Sequence, residues 1–216
     1  MVSDIDPAEF VEAVQPVLET QDLQQLLQFL KSKWTGPQII GLLSGNHCDA
    51  RKVAALCLSL VGCPACLNEL AKQLRDPDPM VNQMAEHAMW SIWFRAGTPE
   101  ANHQLHRGTI AMNRRDLEHA ISHFNKAIEL APGFAEAYNQ RALARYLMED
   151  FKASIADCHR TVERMPIHFG AWAGMGHSHA HLGNIAEAIE AYEKALEINP
   201  HLSCVRETIG ELKRKK

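Results

Sequence analysis

The sequence predicts an all-α chain of stacked helical hairpins, and three observations carry that expectation. A 34-residue period aligns without gaps from residue 101 to residue 202, and a fixed period of this length marks a repeat architecture. Ala, Leu and Glu recur in windows where Val, Ile and Thr seldom alternate with polar residues, a pattern that favours helix over strand. Prolines stand at one phase of the period, at Pro132, Pro166 and Pro200. Each ends a helix, because proline cannot continue one and disfavours helical geometry in the residue before it.

Each unit, 101–134, 135–168 and 169–202, divides into two amphipathic helices around a short turn ending at Asp116, Asp150 or Asn184. These residue types cap helix amino-termini by accepting backbone N–H groups of the first turn. Small residues are needed where the two helices of a hairpin cross closely, and larger ones fill the space between hairpins. In register the third unit supplies Trp172, Met175, Gly176, Ala188, Tyr192, Ala195 and Pro200. The second supplies Tyr138, Arg141, Ala142, Ser154, Cys158, Thr161 and Pro166, and the first Gln104, Arg107, Gly108, Ala120, Phe124, Ala127 and Pro132. One hairpin cannot bury its apolar face alone, so the units must stack. After them Val205, Ile209 and Leu212 share one face of the segment 203–216, which is expected to cap the stack.

This order of large, large, small, then small, aromatic, small, proline resembles the tetratricopeptide repeat. The resemblance implies a right-handed helical-hairpin solenoid over 99–216, with a concave groove lined by the first helix of every hairpin. Carried over by register, the groove candidates are Asn102, Leu105, Thr109 and Met112, then Glu136, Asn139, Leu143 and Tyr146, then Ala173, His177 and His181. A subset of the family grips the carboxylate of a chaperone tail with Lys, Arg and Asn on these helices. Here the corresponding stretches provide almost no Lys or Arg, and only Asn139 fits loosely. The expected ligand is therefore a different peptide, helical or extended.

The first hundred residues carry no 34-residue phase. From about Asp22 to Arg95 helix pairs are expected between breaks at Thr35-Gly36-Pro37, Gly45-Asn46, Gly62-Cys63-Pro64 and Asp76-Pro77-Asp78-Pro79. Before them, Asp6-Pro7-Ala8-Glu9 is a helix opening with a cap and a proline in the first turn. Ala50, Ala54, Cys57 and Leu58 match Val81, Ala85, Ala88 and Met89 at a spacing of 31. The stretch Leu70–Trp90 is similar to a HEAT-like repeat, so 1–98 is read as a HEAT-like region joined to the repeats by a short connection.

Composition narrows the function. The net charge is -4, with 7 basic and 12 acidic side chains in residues 1–100 against 15 and 14 in 101–216. That balance argues against the basic stripe of a nucleic-acid binder. The basic run Lys213–Lys216 is read as a solvated helix end, where cations suit the carboxyl terminus. The start, MVSDIDPAEF, lacks the basic and apolar blocks of a secretory signal, and no apolar run approaches the ~20 residues that span a bilayer. A cytoplasmic protein is expected, with its six cysteines reduced.

Two constellations compete with a plain binding role. Cys63-Pro64-Ala65-Cys66 has the spacing of a redox dithiol or half a zinc site, and His47-Cys48 could nominally complete it. A helix between the pairs would hold them roughly 20 Å apart at 1.5 Å per residue, too far for one ion. In His177-Ser178-His179-Ala180-His181 the outer two rings share a helix face while His179 points away. Two histidines leave a zinc site unfinished. No nucleophile elbow, phosphate loop or paired carboxylates appear, and Cys158 and His159 diverge around their helix. The expectation is a non-enzymatic scaffold without metal or cofactor that binds a protein or peptide. The alternative is a thiol- or metal-responsive regulator using Cys63 and Cys66 or His177 and His181.

Overall fold

The computed structural model describes residues 5–214, in which thirteen α-helices and one 3-10 turn are joined without any strand. Met1–Asp4, and the Lys215 and Lys216 end of the basic run, lie outside the described residues. The chain divides into two compact units between Trp93 and Phe94. Among the described residues no helix is long and apolar enough to cross a membrane.

The first unit holds α1 (Pro7–Glu19), α2 (Leu23–Lys33), α3 (Gly36–Leu42), α4 (Cys48–Val61), the 3-10 turn Pro64–Cys66, α5 (Leu67–Gln73) and α6 (Pro79–Phe94). Every break expected from Gly and Pro falls at a helix boundary. Asp6 caps α1, its carboxylate accepting from the Ala8 and Glu9 amides at 3.0 and 2.9 Å. The Asp76–Pro79 turn does more than end a helix. Asp76 accepts from both Nε and Nη2 of Arg51 at 2.6 and 3.1 Å. Asp78 accepts from the Cys48 thiol at 3.0 Å and pairs with Lys52 at 2.9 Å, while its other oxygen caps α6 through the Met80 amide. The Cys48 and Lys52 contacts hold the Asp78 carboxyl below the usual carboxylate range, and the same hydrogen bond pushes the Cys48 thiol up. Two acids of one turn thus tie the start of α6 to the start of α4.

The second unit is a stack of helical hairpins. They are α7 (Pro99–Asn113) with α8 (Leu117–Leu130), α9 (Ala135–Leu147) with α10 (Phe151–Arg164), and α11 (Phe169–His181) with α12 (Ile185–Ile198). Helix α13 (Ser203–Arg214) follows, and its Val205 and Ile209 close over Ala188 and Tyr192. Asp116 and Asp150 cap their helices by accepting from His119 and Ala153 amides. Asn184 occupies the same position without a side-chain cap bond, because its amide turns to Nδ1 of His179 at 3.4 Å.

One backbone feature repeats with the period. Arg115, Glu149 and Gly183 adopt left-handed φ values of 63°, 62° and 77° just past each first helix. A side chain there crowds its own carbonyl, and glycine escapes that cost. Nothing lies within 4 Å of a Cβ built on Gly183. Gly183→Ala is therefore expected to lose about 1 kcal/mol through backbone strain alone, and Glu149→Gly to gain up to about the same amount. Urea unfolding followed by circular dichroism checks both signs.

Small and large residues face each other inside each hairpin in a compensating way. A Cβ on Gly108 would stand 2.3 Å from the Phe124 ring, and one on Gly176 would stand 2.5 Å from the Tyr192 ring. In the middle hairpin the aromatic is replaced by Cys158, and there the small residue is Ala142. The methyl occupies room that the missing ring leaves free.

The middle hairpin also buries charge. Asp157 is fully buried and accepts from Nε and Nη2 of Arg141, both at 2.7 Å. Arg145 reaches it at 2.8 Å and Arg160 at 3.6 Å. Arg141 also donates to the Asn125 side chain at 2.6 Å, linking the second hairpin to the first. Close by in sequence, Glu136 and His168 pair at 2.8 Å with both side chains fully buried. Nδ1 of His168 accepts the Ala171 amide proton, which leaves Nε2–H to donate to Glu136.

Candidate functional site

The first helices of the hairpins lie side by side, so residues on their shared face form one row. Helix α9 supplies its centre. Leu143 and Leu147 are one turn apart near its end and remain 42% and 46% exposed. With Met112, Asn113, Arg115 and Leu117 of the first hairpin they line a pocket of about 350 Å³. That volume accepts one or two apolar side chains.

On the other side of α9 an aromatic and imidazole cluster continues the row. Tyr146 hydroxyl and Nε2 of His181 share a hydrogen bond at 2.8 Å. The His181 ring stacks on Phe151, with centroids 4.6 Å apart and planes 10° from parallel. Tyr192 hydroxyl and Nδ1 of His177 share a hydrogen bond at 2.7 Å. Burial pushes the Tyr192 hydroxyl up and the His177 imidazole down, so this pair is a neutral phenol on a neutral imidazole. The two rings of His177 and His181 are thus turned onto different tyrosines. Among the described residues no group of three or more His, Cys, Asp or Glu is placed to hold a metal ion.

The eleven residues assigned to the groove by register do not all reach its surface. Met112, Leu143, Tyr146, His177 and His181 do. Thr109 is half-buried and its hydroxyl bonds the His106 carbonyl of its own helix. Ala173 packs against the last cluster, and Asn139 turns its amide to Glu136 at 3.3 Å. Leu105 and Glu136 are inside, and Asn102 is half-buried. Leu105 is 1% exposed among Ala101, Ala120 and Phe124, because this part of α7 is covered by α8 and by Phe134. Glu136 is 1% exposed, drawn in by His168 and Gln140. Asn102 clamps the segment before α7, donating to the Arg95 and Gly97 carbonyls and accepting from the Gly97 amide. Leu147 belongs to the row, and Leu117 and Phe151, which open α8 and α10, border it; none of the three was assigned by register. The turn-to-turn spacing of Leu143 and Leu147 is the signal that marks the second leucine.

The cysteine constellation resolves into local structure. Cys63 is exposed and Cys66 buried, and the Cys66 sulfur accepts the Cys63 amide at 3.4 Å to open the 3-10 turn. His47 caps α4 through the Ala50 amide at 3.2 Å. The fourteen residues of α4 hold the two pairs apart by about 20 Å.

Known proteins resemble this chain most clearly in its second unit. Tetratricopeptide repeat family models match residues 104–134 and 170–202. A TPR repeat-containing protein of Rhizobium etli is 27% identical over 150 residues, covering 69% of this chain and 74% of that protein. The Hsp70-Hsp90 organizing protein of Triticum aestivum is 31% identical over 108 residues, covering 50% of this chain and only 19% of that protein. Among solved structures, the Sgt2 TPR domain from Aspergillus fumigatus superimposes with a TM-score of 0.53 at 25% identity, over 56% of this chain and 81% of that one. The first TPR of Spaghetti (RPAP3), solved with the HSP90 peptide SRMEEVD, has the same fold, with a TM-score of 0.53 at 20% identity over 54% of this chain and 92% of that one.

Proposed function

The chain is a tetratricopeptide repeat protein, and from that premise we propose that it is a non-catalytic adaptor whose row of first helices binds a segment of a partner protein. The observation that carries this reading is the exposed pair Leu143 and Leu147 beside the 350 Å³ pocket, continuous with Tyr146 and His181. Apolar side chains gathered at the rim of a pocket are what a docking segment covers. Hydroxyl and imidazole groups next to them fix its orientation. The ligand this surface fits is a helical or extended segment with one apolar anchor. A chaperone-tail carboxylate would need cations on the row, and there only Arg115 lines the pocket. The HEAT-like helices of the first unit would add surface of their own.

The test uses peptides selected by display on the intact chain. Selected peptides are expected to share a Leu, Ile, Met or Phe anchor. Leu143→Asp is expected to weaken them about tenfold or more, because it puts a charge at the pocket mouth. A triple substitution of Tyr146, His177 and His181 by alanine should weaken them as well. Retention of full affinity by both variants would show that this face is not the binding surface.

A further inference from the structure

The first hairpin lacks an acid that the second one has. In the second, Asp157 gathers Arg141, Arg145 and Arg160. One 34-residue period earlier stand Arg107, Ala111, His123 and Lys126, so two of the three cationic partners keep their places while the carboxylate becomes an imidazole. Arg114 lies two turns beyond Arg107 on the same face of α7. Arg107, Arg114 and Lys126 have no carboxylate partner among the described residues. The acid that is near, Asp116, is committed to capping α8 and to Nδ1 of His119 at 2.8 Å.

Space accompanies the missing charge. Arg107, Arg114, Asp116, His119 and His123 surround an opening of about 300 Å³ that Ile110 and Ala111 also line. In the later hairpins this face packs on the hairpin before it, as Arg141 does on Asn125 and Met175 does on Ala142 and Cys158. It is a different face of α7 from the one that carries Met112. We propose that this pocket binds a carboxylate side chain of an acidic protein segment, which pairs with Arg107 from outside as Asp157 pairs with Arg141 from within. A guanidinium fork matches a carboxylate in two parallel hydrogen bonds, as the Arg141 pair does within the protein. Ile110 and Ala111 give the aliphatic part of that side chain an apolar seat.

His123 reports occupancy. Its imidazole is held below the usual histidine range by burial, then by Arg107, Lys126, His119 and His103. Its Nδ1 faces Gln104 at 2.8 Å. A bound carboxylate favours the charged ring, so binding raises the His123 pKa and tightens as pH falls through its titration.

The experiment titrates the isotope-labelled full chain with an acetylated hexaglutamate peptide, followed by NMR. Backbone shifts are expected at Arg107, Arg114 and His123, together with a rise in the His123 pKa. Arg107→Gln and Arg114→Gln should each weaken binding about tenfold. His123→Asp installs the second hairpin's own arrangement and should abolish binding while Leu143→Asp leaves it intact. Should His123→Asp fail to fold, the exposed Arg114→Gln variant decides the matter. Undiminished binding by the arginine variants, an unmoved His123 titration, or a response to inorganic phosphate with none to the peptide would each overturn the proposal.

Discussion

Asp157→Ala is expected to destabilise the repeat unit by about 3–5 kcal/mol, because it leaves the buried Arg141 cation without its counter-charge. Arg141 is 8% exposed and holds its guanidinium against Asp157 through two hydrogen bonds, with Arg145 on the same carboxylate. The third hairpin shows how the same space is filled without charge, since the equivalents of Arg141 and Asp157 are Met175 and Ala191. Arg141→Met combined with Asp157→Ala should therefore recover most of the loss, as apolar replacement of a complete buried pair is often near neutral. Urea midpoints for the two single variants and the double variant measure this. A double variant no better than Asp157→Ala would mean that the loss comes from packing and not from the stranded charge.

The contact between Gly176 and Tyr192 gives the second large effect. Gly176→Ala drives a methyl to within 2.5 Å of the Tyr192 ring and is expected to cost about 1–3 kcal/mol. Tyr192→Cys empties a fully buried ring site and is expected to cost about 3–5 kcal/mol. Together the two substitutions recreate the Ala142 and Cys158 pair of the middle hairpin, so the double variant should be less damaged than the sum of the singles. Additive losses in the thermodynamic cycle would show that the two positions do not share space.

Much of this organisation is readable from the sequence because it is periodic. Pro132, Pro166 and Pro200 end helices, Asp116 and Asp150 cap them, and glycine stands where an aromatic crosses, each at a fixed phase. What register does not convey is depth. Leu105 and Leu143 both fall on the row-forming face, yet one is enclosed by Phe124 and Phe134 and the other is open. Glu136 reads as a groove acid until His168, 32 residues later, arrives beside it. Asn184 looks like its aspartate counterparts, but the imidazole of His179 competes for its amide. In the first unit Gly and Pro mark the breaks without a period. The links from Asp76 and Asp78 to Arg51, Cys48 and Lys52 depend on tertiary contact and have no signature in spacing.

The most direct test of the adaptor reading is an NMR map of a display-selected peptide on the labelled full chain. Chemical-shift changes centred on Met112, Leu143, Tyr146, Leu147 and His181, and lost in Leu143→Asp, are the predicted result. Changes confined to other faces, including the one around His123, with that row unmoved, would contradict it.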